Sequence, residues 1–118
     1  MTRNANHFVL ICSTCQGEIE ASAAQSLLDA SLPDGFATRL IPCMAGCERP
    51  MAIGLQAEGK AQYLFGDIQS TADLDAIAAF AHQYRDSESG WTSATDRPPA
   101  LLFKTLARLP RLPKAGKT

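Results

Sequence analysis

The four cysteines of this 118-residue chain are the side chains whose type and spacing could do chemistry. They form two close pairs, Cys12 with Cys15 and Cys43 with Cys47, and 27 residues separate the pairs. Because no export signal is recognisable, we expect a cytoplasmic protein in which metal or redox chemistry takes precedence over a disulfide framework. Four thiolates could hold a 2Fe-2S cluster, with two thiolates on each iron. They could equally hold a structural zinc ion, and the first pair could exchange disulfides.

The three chemistries do not fit the two pairs equally well. Thiol-disulfide exchange ranks third, because it leaves Cys43 and Cys47 without a role and their spacing exceeds that of the usual active-site disulfide. Ligand spacing permits both zinc and iron-sulfur. Small residues near the cysteines let backbone N–H groups approach bridging sulfides, which modestly favours the cluster; these residues are Ser13, Thr14, Gly17, Ala45 and Gly46. Buried, inert thiols are the simplest alternative, but core packing does not produce such pairing.

Catalysis is not indicated by the sequence. The chain shows no nucleophile with a positioned base, no phosphate-binding loop and no substrate-pocket motif. His7 precedes the first predicted strand and His82 falls within a predicted helix, so both are interpreted as ordinary surface histidines and not as metal ligands. We therefore expect an electron carrier or a metal-binding protein rather than an enzyme.

The elements that position the cysteines are predicted in the order strand, helix, strand, strand, strand, helix. They are expected at residues 7–12, 18–31, 36–42, 51–56, 61–65 and 72–86. The first two strands should be parallel and joined by a crossover, so that both cysteine pairs leave the same end of the sheet. The next two should form an antiparallel hairpin, and Ser70 with Asp73 is a weak capping signal for the last helix. This is the order of the thioredoxin core, an α/β fold with a mixed sheet of about four strands.

Three stretches of the sequence resemble a known family. They are Cys12-Ser-Thr-Cys15, the run from Pro42 to Ile53 that contains Cys-Met-Ala-Gly-Cys-Glu-Arg-Pro, and the hairpin end Tyr63-Leu-Phe-Gly-Asp67. They resemble a family of small bacterial proteins of unknown function that are described as metal-binding. The chain also looks similar to the thioredoxin-like 2Fe-2S ferredoxins. The resemblance covers about residues 8–86, and the stretch around the second cysteine pair is its most specific part.

The resemblance to the ferredoxins implies a ligand set and a role. By this resemblance Cys43 and Cys47 are the ligands of a CxxxC pair, and Cys12 and Cys15 are the two earlier ligands. The chain departs from the ferredoxins in one respect, because only two residues separate its earlier pair. The resemblance implies cytoplasmic electron transfer with a redox partner protein that it does not name, and it is compatible with a homodimer.

The charged residues divide the chain into a body and a tail. Residues 1–90 hold five Lys and Arg against eleven Asp and Glu, whereas residues 91–118 hold six against one. A stretch rich in small, polar and proline residues, at about 87–99, is typical of a linker. We therefore predict a thioredoxin-like metal- or cluster-binding domain over residues 1–88, followed by a linker and a basic amphipathic tail over residues 89–118.

The tail places its basic residues Lys104, Arg108 and Arg111 at helical spacing, opposite leucines. Basic amphipathic segments can bind membranes or acidic partners. This one is short and bounded by prolines, so we expect its apolar stripe to pack on the domain or on a second subunit. Nucleic acid binding has little support because the body is acidic. No apolar run approaches the roughly 18 to 20 residues of a membrane span.

Overall fold

The computed structural model describes residues 6–14, 19–42, 51–93 and 96–111. Within these ranges the chain forms a five-stranded mixed sheet and two α-helices. The strands are β1 (His7–Cys12), β2 (Phe36–Ile41), β3 (Ile53–Ala57), β4 (Gln62–Phe65) and β5 (Thr105–Leu109). The helices are α1 (Ala21–Ser31) and α2 (Thr71–Asp86), and a short 3-10 helix spans Pro99–Leu101. The predicted α/β class and the predicted order of the first six elements are confirmed.

The sheet has the strand order β2-β1-β3-β4-β5. Strand β1 pairs in parallel with β2, in a register that runs from His7 opposite Phe36 to Cys12 opposite Ile41. Strand β3 is antiparallel to both β1 and β4, so the predicted hairpin is also present. Because β1 and β2 are parallel and in register, both strands end at the same edge of the sheet.

A cluster of aromatic side chains joins α2 to β4 in the core. Tyr63 and Phe65 are two residues apart on β4 and therefore share one face of the sheet. Their rings meet Phe80 of α2 edge-on, with ring centroids 4.9 and 5.4 Å apart. Tyr84 lies one turn further along α2, is fully buried, and donates a 2.6 Å hydrogen bond to the carbonyl of Ala61. Such edge-to-face pairs stabilise the core beyond the area they bury.

The two helices begin close to, but not always at, their predicted positions. The prediction that α1 starts at residue 18 is wrong, because Glu20 has an extended backbone and acts as the N-cap, and the helix begins at Ala21. Helix α2 begins at Thr71, and the hydroxyl of Ser70 accepts a 3.2 Å hydrogen bond from the N–H of Asp73, which confirms the capping prediction. Neither of these helices is long and apolar enough to cross a membrane.

The tail forms a strand where the spacing of its basic residues indicates a helix. Residues Thr105–Leu109 pair antiparallel with β4 as the fifth strand, β5, so the helical interpretation of this segment is wrong. An isolated helix of fewer than about 12–15 residues is marginally stable in water. Pairing with the outer edge of β4 instead satisfies the backbone groups of both strands. Leu101 is fully buried in the core, but Leu102 and Leu109, two of the three leucines of the predicted apolar stripe, are exposed, so the expectation that this stripe packs on the domain is not met there.

The residues predicted as a linker also contact the body of the protein. The carbonyl of Ser89 accepts a 2.8 Å hydrogen bond from the N–H of Ala61. Thr92 is buried, and its N–H donates to the hydroxyl of Tyr63 at 2.9 Å. The described residues beyond 88 thus pack on the same core as the residues before it.

Candidate metal centre at the end of strands β1 and β2

Cys12 is the last residue of β1, and its side chain is fully buried. Its backbone N–H donates a 3.1 Å hydrogen bond to the carbonyl of Ala52, which directly precedes β3. Its Sγ lies 3.6 Å from the hydroxyl oxygen of Thr14, a contact in which either group can donate. The backbone therefore holds this thiol in place from a neighbouring strand, while one hydroxyl lies within hydrogen-bond distance of the sulfur.

The two residues after Cys12 are hydrogen-bonded to the end of β2. The N–H of Ser13 donates to the carbonyl of Ile41 at 2.8 Å, and the Ser13 hydroxyl donates to the same oxygen at 3.3 Å. The hydroxyl of Thr14 donates to the carbonyl of Pro42. The chain leaving β1 is thus tied to the chain leaving β2.

The residues that lead into β3 lie at the same edge of the sheet. Met51 and Ile68 exchange two backbone hydrogen bonds, of 3.4 and 3.3 Å. The side chains of Met51, Ala52 and Ile68 are all fully buried. The residues that lead into β3 are therefore closed to solvent at the point where Cys12 bonds to Ala52.

Only Cys12 of the four predicted ligands is among the described residues. Cys15, Cys43 and Cys47 lie outside them, as do Gly17, Ala45 and Gly46 from the set of small residues. Within the described ranges, no three His, Cys, Asp or Glu side chains are grouped so as to hold a metal ion. The predicted four-cysteine site therefore stays a prediction, with its geometry described at Cys12, at Thr14 before Cys15 and at Pro42 before Cys43.

The histidines lie away from Cys12. His82 is exposed on α2, and His7 begins β1, at the opposite end of the strand from Cys12. His7 accepts a 2.9 Å hydrogen bond at Nε2 from the ammonium of Lys60. Burial and the Lys60 charge lower the pKa of His7, and burial likewise lowers the pKa of Lys60. Burial raises the pKa of the nearby Tyr84 phenol well above its ordinary value.

Two groups of hydrogen-bonded polar residues were not predicted from the sequence. The first joins His7 to Lys60, 53 positions apart, and the second joins Arg97 and Arg108 to Thr92. No local spacing indicates either group, because strand pairing and chain reversal bring the partners together. The excess of basic residues after position 90 was the only signal for the second group.

The family-model comparison matches residues 9–111 to the family described as "Protein of unknown function (DUF1636)". This stretch makes up most of the chain. The chain belongs to the DUF1636 family. A search of curated proteins and a search of solved structures each found no match.

The DUF1636 match extends beyond the region in which the sequence resembles ferredoxins. It runs from β1 through β5, so the family unit includes the segment predicted as a tail. All four cysteines also lie within it. Membership of DUF1636 confirms the expected relationship to proteins of unknown function and assigns no chemistry to them.

Proposed function

We propose that this protein is a one-electron carrier whose 2Fe-2S cluster is held by Cys12, Cys15, Cys43 and Cys47. One observation carries the proposal: the hydroxyl of Thr14 donates a hydrogen bond to the carbonyl of Pro42. Cys15 directly follows Thr14 in the sequence, and Cys43 directly follows Pro42. Hydrogen bonding therefore joins the two residues that precede one cysteine of each pair.

Cys12 extends this arrangement to a third thiol. Its Sγ lies 3.6 Å from the same Thr14 hydroxyl, and its N–H is bonded to Ala52, close to the point where the chain returns after Cys47. The segments that carry all four cysteines thus begin or end at one edge of the sheet. Two thiolates on each of two irons is the ligand demand of a 2Fe-2S cluster.

The surroundings of Cys12 suit a bound cluster better than an exchanging disulfide. Reactive cysteines are partly exposed and lie in electropositive surroundings, whereas Cys12 is fully buried. A cluster bound here supplies a site that accepts and releases one electron. The chain supplies the thiolates and the Thr14 hydroxyl, whose hydrogen bond to Pro42 holds Thr14 beside Sγ of Cys12 and so helps to orient the ligands.

The proposed carrier acts without catalytic residues of its own. The groups within hydrogen-bond distance of Cys12 include the hydroxyl of Thr14 and the backbone carbonyl of Ala52. They can orient and tune a ligand, but they do not form an acid-base pair. The carrier would work in the cytoplasm, where thiols stay reduced, with a protein partner that delivers or removes the electron. A homodimer is compatible with this role.

A structural zinc ion is the second candidate, because the same four thiolates satisfy its tetrahedral preference and structural zinc sites are closed to solvent. The complete burial of Cys12 meets that second condition. In this case the metal would contribute folding energy and no redox chemistry. The two candidates share their ligands and differ in colour, sulfide content and response to reductant.

The test is purification without oxygen, followed by a visible spectrum and assays of iron, acid-labile sulfide and zinc on one sample. The carrier predicts brown protein with two irons and two sulfides per chain, bleached by dithionite. Colourless protein that holds one zinc per chain, and that anaerobic reconstitution leaves unchanged, overturns the carrier in favour of the zinc module. Each cysteine changed to serine should abolish the colour. Ser13→Ala is the matched control, because it alters the residue next to Cys12 and leaves every thiol.

A further inference from the structure

A cleft of about 600 Å³ runs beside the edge strand β5. Its walls include the side chains of Trp91, Arg97 and Arg108 and the apolar side chains of Leu102, Leu106 and Ala107. Small-molecule sites commonly have volumes of about 300–1,000 Å³, with mostly apolar walls and a few convergent polar groups. The cleft has this size, but it is open to solvent and its lining is slightly more polar than apolar.

The two arginines of the cleft are anchored on one residue. Nη1 of Arg97 donates to the carbonyl of Thr92 at 3.2 Å and to the Thr92 hydroxyl at the same distance. Nη1 of Arg108 donates to that carbonyl at 2.9 Å. Each guanidinium has five N–H donors, so one nitrogen of each is fixed while the other nitrogens keep their donors for further bonds.

An aromatic ring lies near each guanidinium group. The guanidinium carbon of Arg108 lies 3.5 Å from the centroid of the Trp91 ring, and that of Arg97 lies 5.7 Å from the centroid of the Tyr63 ring. Tyr63 is itself buried and bonded to Thr92 through its hydroxyl. The Arg108 guanidinium, held against Trp91 and bonded to Thr92, has lost much of its rotational freedom, so less entropy remains to be lost when it binds a ligand.

The charge of this pair is not balanced within the described part of the chain. Neither Arg97 nor Arg108 forms a salt bridge there, although both bond the same carbonyl oxygen. The carboxylate of the nearby Asp96 accepts a 2.9 Å hydrogen bond from Ser93 instead. Nε of Arg97 is buried and has no hydrogen-bond acceptor among the described residues. Two adjacent cations repel one another, and buried donors without acceptors call for an explanation.

We propose that this cleft binds a small organic anion, whose phosphate or carboxylate is held by Arg97 and Arg108 and whose apolar body lies against Leu102 and Leu106. An oxyanion between the two guanidinium groups would replace their repulsion by charge-assisted hydrogen bonds, and the fork geometry of arginine matches planar carboxylates and phosphates. The volume of the cleft exceeds what inorganic phosphate needs, so the apolar wall is part of the recognition. This site is separate from the proposed cluster and does not depend on it.

The test uses Trp91, which is the single tryptophan of the chain and lines the cleft. Phenyl phosphate and benzoate are titrated into the full-length protein at constant ionic strength, with inorganic phosphate and acetate as probes that lack the apolar body. Trp91 fluorescence reports on the site, and calorimetry gives the affinity without relying on fluorescence. We expect saturable binding of at least one of the two aromatic probes, and binding about tenfold weaker or more for its small counterpart.

Variants test whether Arg108 contributes to the binding. Arg108→Gln should weaken it about tenfold or more, because a charge-assisted hydrogen bond contributes roughly 1.5–3 kcal/mol. Arg108→Lys keeps the charge but removes the fork and should also weaken it. Arg39→Gln makes the same change of charge at an exposed position on β2 and should leave the affinity unchanged. Circular dichroism and thermal melts show whether each variant is folded.

The outcomes separate the proposal from a purely structural role of the arginines. Saturable binding that Arg108→Gln and Arg108→Lys weaken and Arg39→Gln does not weaken supports the site. Absence of saturable binding of either aromatic probe to the folded wild-type protein overturns it, as does equal weakening by Arg39→Gln. Equal affinity for phenyl phosphate and inorganic phosphate, or for benzoate and acetate, overturns the assignment of the apolar wall.

Discussion

The ammonium of Lys60 donates a 2.9 Å hydrogen bond to Nε2 of His7. Nδ1 of His7 lies 2.7 Å from the side-chain carbonyl oxygen of Asn6, so this network assigns the neutral tautomer with its proton on Nδ1. Lys60 also donates to the carbonyls of Tyr84 and Arg85 at the end of α2, at 2.7 and 3.0 Å. The first strand and the second helix are therefore joined through one cation that requires a neutral histidine.

This contact predicts that acid destabilises the protein. Burial and Lys60 lower the pKa of His7 below its unfolded value of 6.5, so the unfolded chain binds more protons in the window below pH 6.5. The contribution of neutral His7 to stability is complete above pH 6.5 and is lost as the pH falls through the lowered pKa. Urea unfolding between pH 8 and pH 5 should show this loss. His7→Gln should reduce the slope, whereas His82→Gln, at an exposed histidine of α2, should leave it in place.

Gly90 is expected to tolerate alanine far less well than Gly59, although the two have nearly the same backbone conformation. Their φ angles are +75° and +76°, and this left-handed backbone costs an L residue about 1–2 kcal/mol at either position. A Cβ on Gly59 meets nothing within 4 Å, whereas one on Gly90 would lie 2.9 Å from Cβ of Lys60 and 2.9 Å from the Tyr84 ring. This overlap should add about 1–3 kcal/mol to the cost of Gly90→Ala. Denaturant unfolding of both variants measures the difference, and equal losses would contradict the packing at Gly90.

Leu101 and Leu102 test whether the segment after residue 88 stabilises the fold. Leu101 is 0% exposed within the core, and Leu102 is 43% exposed. We expect Leu101→Ala to cost about 2–5 kcal/mol, because it removes buried methyl groups and leaves a cavity. Leu102→Ala should stay within about 0.5 kcal/mol, as surface substitutions usually do. Chemical denaturation compares the two variants, and a Leu101→Ala protein as stable as wild type would show that this segment is dispensable.

The sequence predicted the elements whose signals are local. Apolar runs indicated β1 and β2, and parallel pairing then required Cys12 and Ile41 to end at the same edge of the sheet, as they do. The start of α1 was misplaced because Ile19 and Glu20 continue the helical pattern, while the backbone of Glu20 is extended. Hydrophobic spacing identifies the existence of an element more reliably than its first residue.

Strand β5 and the two polar groups could not be predicted because their partners are distant in the chain. Leucines and basic residues between Lys104 and Leu109 fit both helical and strand spacing over so short a run. These residues form a strand because they pair with β4, where Arg108 lies opposite Tyr63. The same pairing brings Arg108 to Thr92, which no pattern within the tail could indicate.

Thr14 connects the described geometry to the proposed metal centre, so its substitution tests that connection. Thr14→Val removes the hydroxyl that bonds Pro42 and contacts Cys12 Sγ. Thr14 is an exposed residue, so we expect only about 1 kcal/mol of lost stability in the metal-free chain. Loss of the metal to a chelator should be several-fold faster, because residues that orient ligands often affect metal retention by 10–100-fold. Thr14→Ser restores a hydroxyl and should recover most of the retention. Equal rates of metal loss from wild type, Thr14→Val and Thr14→Ser would show that Thr14 does not influence the metal centre. The hydrogen bond between Thr14 and Pro42 would then no longer support the proposed position of the cysteines.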